Sequence, residues 1–256
     1  MNQRSKLPIV AFVTDFGLAD GYVSEMYAAV LIHCPDARLV DISHLIAPGD
    51  VNSGAFVLWR AARQFPAETI FTAVVDPGVG SVRQAVAVRS RRQFFLGPDN
   101  GILARVIDWD GIYEVRLIDQ TGSKVSNTFH GRDVFAPAAG MLASGTPFTD
   151  IGIIGQLTAT FPPTKPLFRD DTVTGEVVYI DGYGNIITDL PAGLSGTISF
   201  ADCANITAIN NYAAAEPGIL HWLVGSANLV EIAINRDSAA RILRVGIGDR
   251  VIMQLT

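Results

Sequence analysis

Val74-Val75-Asp76-Pro77-Gly78-Val79-Gly80-Ser81-Val82-Arg83 is the stretch on which the fold turns. The apolar run that leads into it, Thr69 to Val75, reads as a buried strand. That strand ends on a carboxylate. Pro77 pushes Asp76 toward an extended conformation. Gly78 and Gly80 let the backbone turn sharply and approach a ligand closely. Arg83 follows seven residues after Asp76, where a returning chain can set its guanidinium beside the carboxylate. An acid at the C-terminal end of a strand, with a cation to set its ionisation, suits catalysis. The plainer alternative is a surface turn with an incidental ion pair.

Outward from this stretch, strand-like and helix-like segments alternate over the first 160 residues. Ile9–Val13 and Arg38–Ile42 read as strands. Gly21–Cys34 reads as a helix stopped at Pro35. Asp50 caps a helix running to about Phe65. Thr69–Val75, Gln84–Val88 and Gln93–Leu96 read as further strands, and Asn100–Ile107 and Val134–Ala143 as helices. Alternation of this kind predicts an α/β domain with a largely parallel sheet. Its ligand sites are expected beyond the C-terminal strand ends, where Asp15 and Asp76 both fall. Three prolines between Phe161 and Pro166 then mark a linker, placed at residues 161–171 between domains at 1–160 and 172–256. Beyond it, Glu176–Ile180, Thr197–Phe200, Gly218–Val224, Leu229–Ile234 and Arg250–Leu255 are short and strand-like. They predict a small all-β domain, a barrel or a sandwich.

Bulk properties narrow the function. The 256 residues are 49% hydrophobic, ample material for one large or two smaller cores. No apolar run approaches the roughly 18 residues that span a bilayer. Leu7–Val13 is too short for a signal peptide and lacks a small-residue cleavage site. The net charge is -6 with no basic run, which disfavours nucleic acid as a partner. Cys34 and Cys203 are too few for a disulfide framework or a zinc site, so reduced thiols and a cytoplasmic location are expected. His33, His44 and His221 have no metal-ligand spacing and read as structural or surface residues. Gly78-Val79-Gly80 lacks both the Lys-Ser/Thr of a P-loop and the third glycine of a dinucleotide fingerprint.

Three more segments carry chemistry. Thr128-Phe129-His130-Gly131-Arg132-Asp133-Val134-Phe135-Ala136-Pro137 places a histidine, a glycine and an ion-pair candidate ahead of an apolar helical stretch. Val13-Thr14-Asp15-Phe16-Gly17 ends another strand on an acid and a glycine. Tyr179-Ile180-Asp181-Gly182-Tyr183-Gly184-Asn185-Ile186-Ile187-Thr188 is the last. With the Asp76 stretch, these resemble the S-adenosylmethionine hydrolase family, also called S-adenosylmethionine hydroxide adenosyltransferases. The fluorinating and chlorinating enzymes that act on the same substrate are relatives. The resemblance runs from Ile9 to about Leu255, with the motifs in the family's order.

The resemblance implies an N-terminal α/β domain, a C-terminal β domain and hydrolysis of S-adenosyl-L-methionine to adenosine and L-methionine. Attack by water on ribose C5′ expels methionine as a neutral thioether, so that side of the reaction needs no acid, and no metal or cofactor is expected. The implied catalytic set is Asp76, Arg83 and His130. Asp76 orients the water, Asp76 or His130 takes its proton, and Arg83 holds the carboxylate ionised. Asp15, otherwise a helix N-cap, maps to the aspartate that binds the ribose diol. Asp181 and Asn185, otherwise turn residues, map to contacts with the methionine amino group and the adenine edge. Tyr183 maps to a ring stacked on adenine, and Ser226 to a serine on the methionine carboxylate. Ala227 and Asn228 depart from the family pattern after Ser226. Gly49 stands where the halogenases carry a tryptophan. Halogenases also have an aromatic hydroxyl in place of Asp76 and lack His130. Relatives are trimers with sites at subunit interfaces, so a homotrimer is expected. The rival activities are halide transfer to the same carbon and a non-catalytic sensor of S-adenosylmethionine or adenosine.

Overall fold

The computed structural model describes residues 7–121, 123, 125–159 and 163–256. Its internal contacts divide the chain into two units, Met1–Pro163 and Thr164–Thr256. Of the proline-rich stretch, Phe161 and Pro162 lie outside the described residues.

The first unit runs β1 (Ile9–Thr14), α1 (Tyr22–His33), β2 (Arg38–Ser43), α2 (Val51–Ala62), β3 (Ile70–Val74), β4 (Ala85–Arg89), β5 (Phe94–Pro98), α3 (Ala104–Asp110), β6 (Glu114–Leu117), α4 (Ala136–Ala143) and β7 (Ile153–Ile154). These strands form one sheet in the order β2-β1-β3-β5-β4-β6-β7. β2, β1, β3 and β5 are parallel, whereas β4, β6 and β7 pair antiparallel. The sheet is therefore mixed beyond β5. The link from β4 to β5 is the cause. Residues 90–93 can close a hairpin, but a parallel crossover needs about a dozen residues.

β1 shows why the parallel half is buried on both faces. Val10 and Phe12 pack with Met26 and Val30 of α1 and with Ala139 of α4. Their neighbours Ala11 and Val13 join the opposite cluster, with Leu58 and Ala62 of α2 and Val106 of α3. Each large side chain so buried contributes about 1.5–3 kcal/mol.

Two helices differ from the sequence expectation for definable reasons. Asn100 is no helix residue, because its amide donates to the Val75 carbonyl (2.9 Å) and its Oδ1 accepts from Ile102 N (3.2 Å). α3 starts only at Ala104. Ahead of α4, residues Gly131–Phe135 form a π turn, and Ala136 N donates to the Gly131 carbonyl. Pro137 has no N–H to give an α-helical ladder, and its ring would crowd the carbonyl four residues back; the wider turn relieves both conflicts.

The second unit comprises β8 (Leu167–Arg169), β9 (Thr172–Ile180), β10 (Ile186–Pro191), β11 (Gly196–Phe200), β12 (Cys203–Ala208), β13 (Leu220–Val224), β14 (Leu229–Ile234), α5 (Ala239–Leu243) and β15 (Arg250–Leu255). Pairing of β9 with both β10 and β15 closes the sheet into a barrel, β9-β10-β14-β13-β12-β11-β15. This selects the barrel over the sandwich. β8 falls within residues 161–171 and pairs with β9. Val177, Ile186, Leu190, Trp222, Ile232 and Met253 fill the interior. β10 and β12 were not legible as strands. β12 has one buried residue, Ile206, and so carries almost no alternating signal.

Asp50 caps α2 as its sequence position predicts, accepting from Ser53 N (2.9 Å) and Ser53 Oγ (2.6 Å). Asp50→Ala is expected to cost about 0.5–2 kcal/mol in urea unfolding, and Asp50→Ser to restore most of it. Equal stability of Asp50→Ala and wild type would refute the cap.

Candidate active site

The parallel register sets the site. Thr14 of β1 pairs with Val74 of β3, so Asp15 and Asp76 emerge side by side at the C-terminal ends of adjacent strands. Asn100 fixes the end of β3 through the Val75 carbonyl (2.9 Å). The loops adjoin at Gly49, whose N–H donates to Asp15 Oδ2 (2.8 Å) and where an added Cβ would lie 3.8 Å from that of Pro77. Asp15 is thus not the cap of α1, which starts after Gly21 with no side-chain cap.

Beyond Asp76 the chain turns back through Gly80, with φ at +77°, where a Cβ would collide with the Asn127 carbonyl oxygen. That turn delivers Arg83. Its Nε donates to Asp76 Oδ1 (3.1 Å) and Oδ2 (3.0 Å), and its NH2 group also grips Oδ2. The side chains are 9% and 4% exposed, so this is a buried pair rather than a surface one. The same NH2 group lies 2.7 Å from His130 Nδ1. A guanidinium has no acceptor, so His130 Nδ1 is the acceptor and the neutral ring carries its proton on Nε2. Burial pushes the His130 pKa below the usual histidine value, and the charge on Arg83 pushes it further down.

His130 opens the π turn before α4. Arg132 anchors this turn. It donates to both Asp133 oxygens (2.7 and 2.9 Å) and to Glu25 of α1 (2.7 Å). Phe16, Tyr22 and Phe129 form an edge-to-face cluster beside the histidine, with ring centroids 5.2 to 6.1 Å apart.

Gln120 was missed by sequence reasoning. Its Oε1 accepts from Arg83 NH1 (2.6 Å), and its amide donates to the Arg83 carbonyl (2.8 Å). No local motif points to a lone glutamine 37 residues away in sequence.

In the barrel unit, Asp181 organises the β9–β10 loop. Its Oδ1 accepts from Tyr183 N and Asn185 N (2.9 Å each), and its Oδ2 from the Asn185 side chain (3.0 Å). Tyr183 projects outward, 84% exposed. Gly184, at φ +82°, packs where a Cβ would strike Ser238. Ser226 lies elsewhere. Pro191 pairs with Leu229, and Ala192 N bonds the Asn228 carbonyl, so the Ser226 turn sits at the other end of β10 from Asn185. Among the described residues, no three His, Cys, Asp or Glu side chains group as a metal site. No helix among them is long and apolar enough to cross a membrane.

Two carboxylates thus stand at neighbouring parallel strand ends, one held by an arginine that also meets a neutral histidine. The SAM hydroxide adenosyltransferase N-terminal domain matches residues 10–152, and the C-terminal domain of the same family matches residues 175–252. The chain belongs to this family. A protein named (R)-S-adenosyl-L-methionine hydrolase from Salinispora arenicola is 38% identical, covering 95% of this chain and 97% of its own. A fluorinase from Nocardia brasiliensis is 30% identical over 73% of this chain and 72% of its own. The crystal structure of an uncharacterized conserved protein from Thermotoga maritima superposes with a TM-score of 0.88 at 32% identity, covering 95% of this chain and 99% of that one.

The depressed pKa of His130 has a sign that can be checked. The unfolded chain binds this proton more readily than the folded one. The stability this group contributes is fully present above its ordinary value of 6.5 and is lost as pH falls through its lower folded value. An NMR titration should place the His130 midpoint below 6.5. A midpoint at or above that value would contradict the burial of His130 and, after it, the influence of Arg83.

Proposed function

We propose that the protein hydrolyses S-adenosyl-L-methionine to adenosine and L-methionine, without metal or cofactor. The observation that carries this reading is the buried Asp76–Arg83–His130 contact beside Asp15. Water attacks ribose C5′ in line with the C–S bond. The new C–O bond forms as the C5′–S pair leaves on sulfur, giving a neutral thioether. Only the proton of the attacking water needs an acceptor. His130 Nδ1 is engaged by Arg83, so Asp76 takes that proton and the Nε2–H of His130 helps hold the water. Positioning of this kind is worth up to about 7–11 kcal/mol. Asp15 holds the ribose diol.

The relative's name specifies an (R) form. Because its methionine carbon is already fixed as L, the label refers to the sulfonium centre, and the same preference is assigned to this chain. Halide transfer is the poorer reading, because a carboxylate at the nucleophile position repels halide and hydrogen-bonds water.

The test is incubation with each sulfonium epimer, with chromatographic resolution of the nucleosides. Adenosine and methionine are expected in equal amounts, faster from the (R) epimer and undiminished by EDTA. No halogenated nucleoside should form in chloride or fluoride. Asp76→Asn keeps the shape but loses the base, and should lower turnover by about 10²–10⁴-fold with little change in KM. Activity lost to EDTA and restored by metal, halogenated product at a comparable rate, or normal turnover in Asp76→Asn would each sink the assignment.

The proposal extends to assembly. Asp181, Asn185 and Tyr183 of one subunit serve the methionine and adenine ends of a substrate held by Asp15 and Asp76 of its neighbour, in a homotrimer; Ser226, at the far end of β10, stands apart from them. This part rests on the family resemblance and on the preference of ligands for interfaces. Co-refolded Asp76→Ala and Asn185→Ala chains should regain partial activity. Verified mixed oligomers that stay inactive would refute the shared site.

A further inference from the structure

Asp15 is held by a neighbouring loop, and His44 is the residue on which that hold converges. His44 follows β2 and is buried, and both of its ring nitrogens face protein neighbours. Its Nε2 lies 3.2 Å from Asp41 Oδ1 and 3.4 Å from the Tyr27 hydroxyl. A carboxylate only accepts, so Nε2 carries the proton of the neutral ring. Nδ1 is then the acceptor for the Thr14 hydroxyl at 2.8 Å. The Thr14 oxygen in turn receives Phe16 N (3.3 Å), and the His44 carbonyl receives Gly17 N (2.8 Å). These bonds pin the backbone immediately before and after Asp15. Five residues beyond His44, Gly49 N fixes the carboxylate itself through Oδ2 (2.8 Å). One short segment, residues 44–49, therefore determines where Asp15 stands and which way it points.

We propose that His44 is a positioning residue for ribose recognition, acting through Thr14 and the 14–17 loop to hold Asp15 in the geometry that accepts the two ribose hydroxyls. The proposal rests on the reading of Asp15 as the ribose ligand. Without the Nδ1 contact the loop keeps its sequence and its carboxylate but loses its fixed orientation. The penalty then falls on the hydroxyls and not on the bond-breaking step. His44 is thus neither catalytic nor a generic core residue.

The experiment compares kcat/KM for S-adenosylmethionine with that for its 2′-deoxyribose analogue in wild type, Asp15→Ala, His44→Gln, His44→Asn and Thr14→Val. Circular dichroism and a melting curve confirm that each is folded. Asparagine can place a polar atom near Nδ1, and glutamine near Nε2, so the pair separates the two hydrogen-bonding ends of the ring. Wild type should prefer the ribose substrate by about 10–100-fold, as for hydrogen bonds to a charged group. His44→Gln and Thr14→Val should shrink that preference to about threefold or less, with kcat on the analogue unchanged, while His44→Asn retains most of it. Thr14→Val removes only a hydroxyl and carries the test if His44→Gln does not fold. A preference kept in Asp15→Ala would overturn the ribose reading and this proposal with it. A preference lost in Asp15→Ala but intact in folded His44→Gln or Thr14→Val would overturn the role of His44 alone.

Discussion

Arg83 is the residue around which the first unit's buried polar contacts are arranged, because a guanidinium and a carboxylate this deeply buried must be fully partnered. Removing both charges from water costs several kcal/mol per ion, and only good geometry returns it. Here the donors are distributed: Nε and NH2 to Asp76, NH2 also to His130, and NH1 to Gln120. Deleting one side of such a buried pair typically costs about 3–5 kcal/mol, since the other charge is left stranded. The arrangement therefore couples stability to site geometry. Anything that displaces the 77–83 turn, the loop bearing Gln120 or the π turn displaces Asp76 as well.

That coupling explains two irregularities. Gly80 adopts positive φ because the returning chain must run against Asn127, on the way to the segment that carries His130. The π turn shifts the helical register at Gly131–Phe135, between His130 and Pro137. It lets a proline continue into α4 while the histidine stays at the turn's start, against Arg83. Both are local conformational costs at a site where the surrounding contacts over-determine the structure.

Much of this was legible in the sequence. The apolar runs of β1 and β3, the acids that follow them, the Asp50 cap and the change of pattern after the prolines all have local causes, and local causes leave local signals. What was not legible depends on partners far away in the chain. Gln120 meets Arg83 only because β6 pairs with β4. Nothing local marks His44, because its contact with Thr14 spans 30 residues of chain. The antiparallel half of the sheet follows from a link too short to cross over, a feature of length rather than composition. β12 escaped because five of its six residues are not buried. The position of Ser226, at the far end of β10 from Asn185, needs the β10–β14 register, which no motif encodes.

The parallel register also bears on the proposed chemistry. Neighbouring strands lie about 4.8 Å apart, and Asp15 and Asp76 leave neighbouring strands one residue out of step, after Thr14 and after Val75. That interval is of the order of the distance across a ribose from its diol to C5′. On the proposed reading, one carboxylate then grips the hydroxyl edge while the other addresses the carbon at the opposite edge. The strand spacing thus becomes the ruler that aligns water with the C–S bond. The ruler is rigid because both strands are buried on both faces. It is accurate only if each acid is held at the end of its strand, and this is where the secondary contacts matter: Gly49 and the His44–Thr14 bond for one acid, Arg83 and Asn100 for the other. The reactive geometry would then be a property of sheet architecture, with the chemistry-bearing residues few and the residues that hold them many.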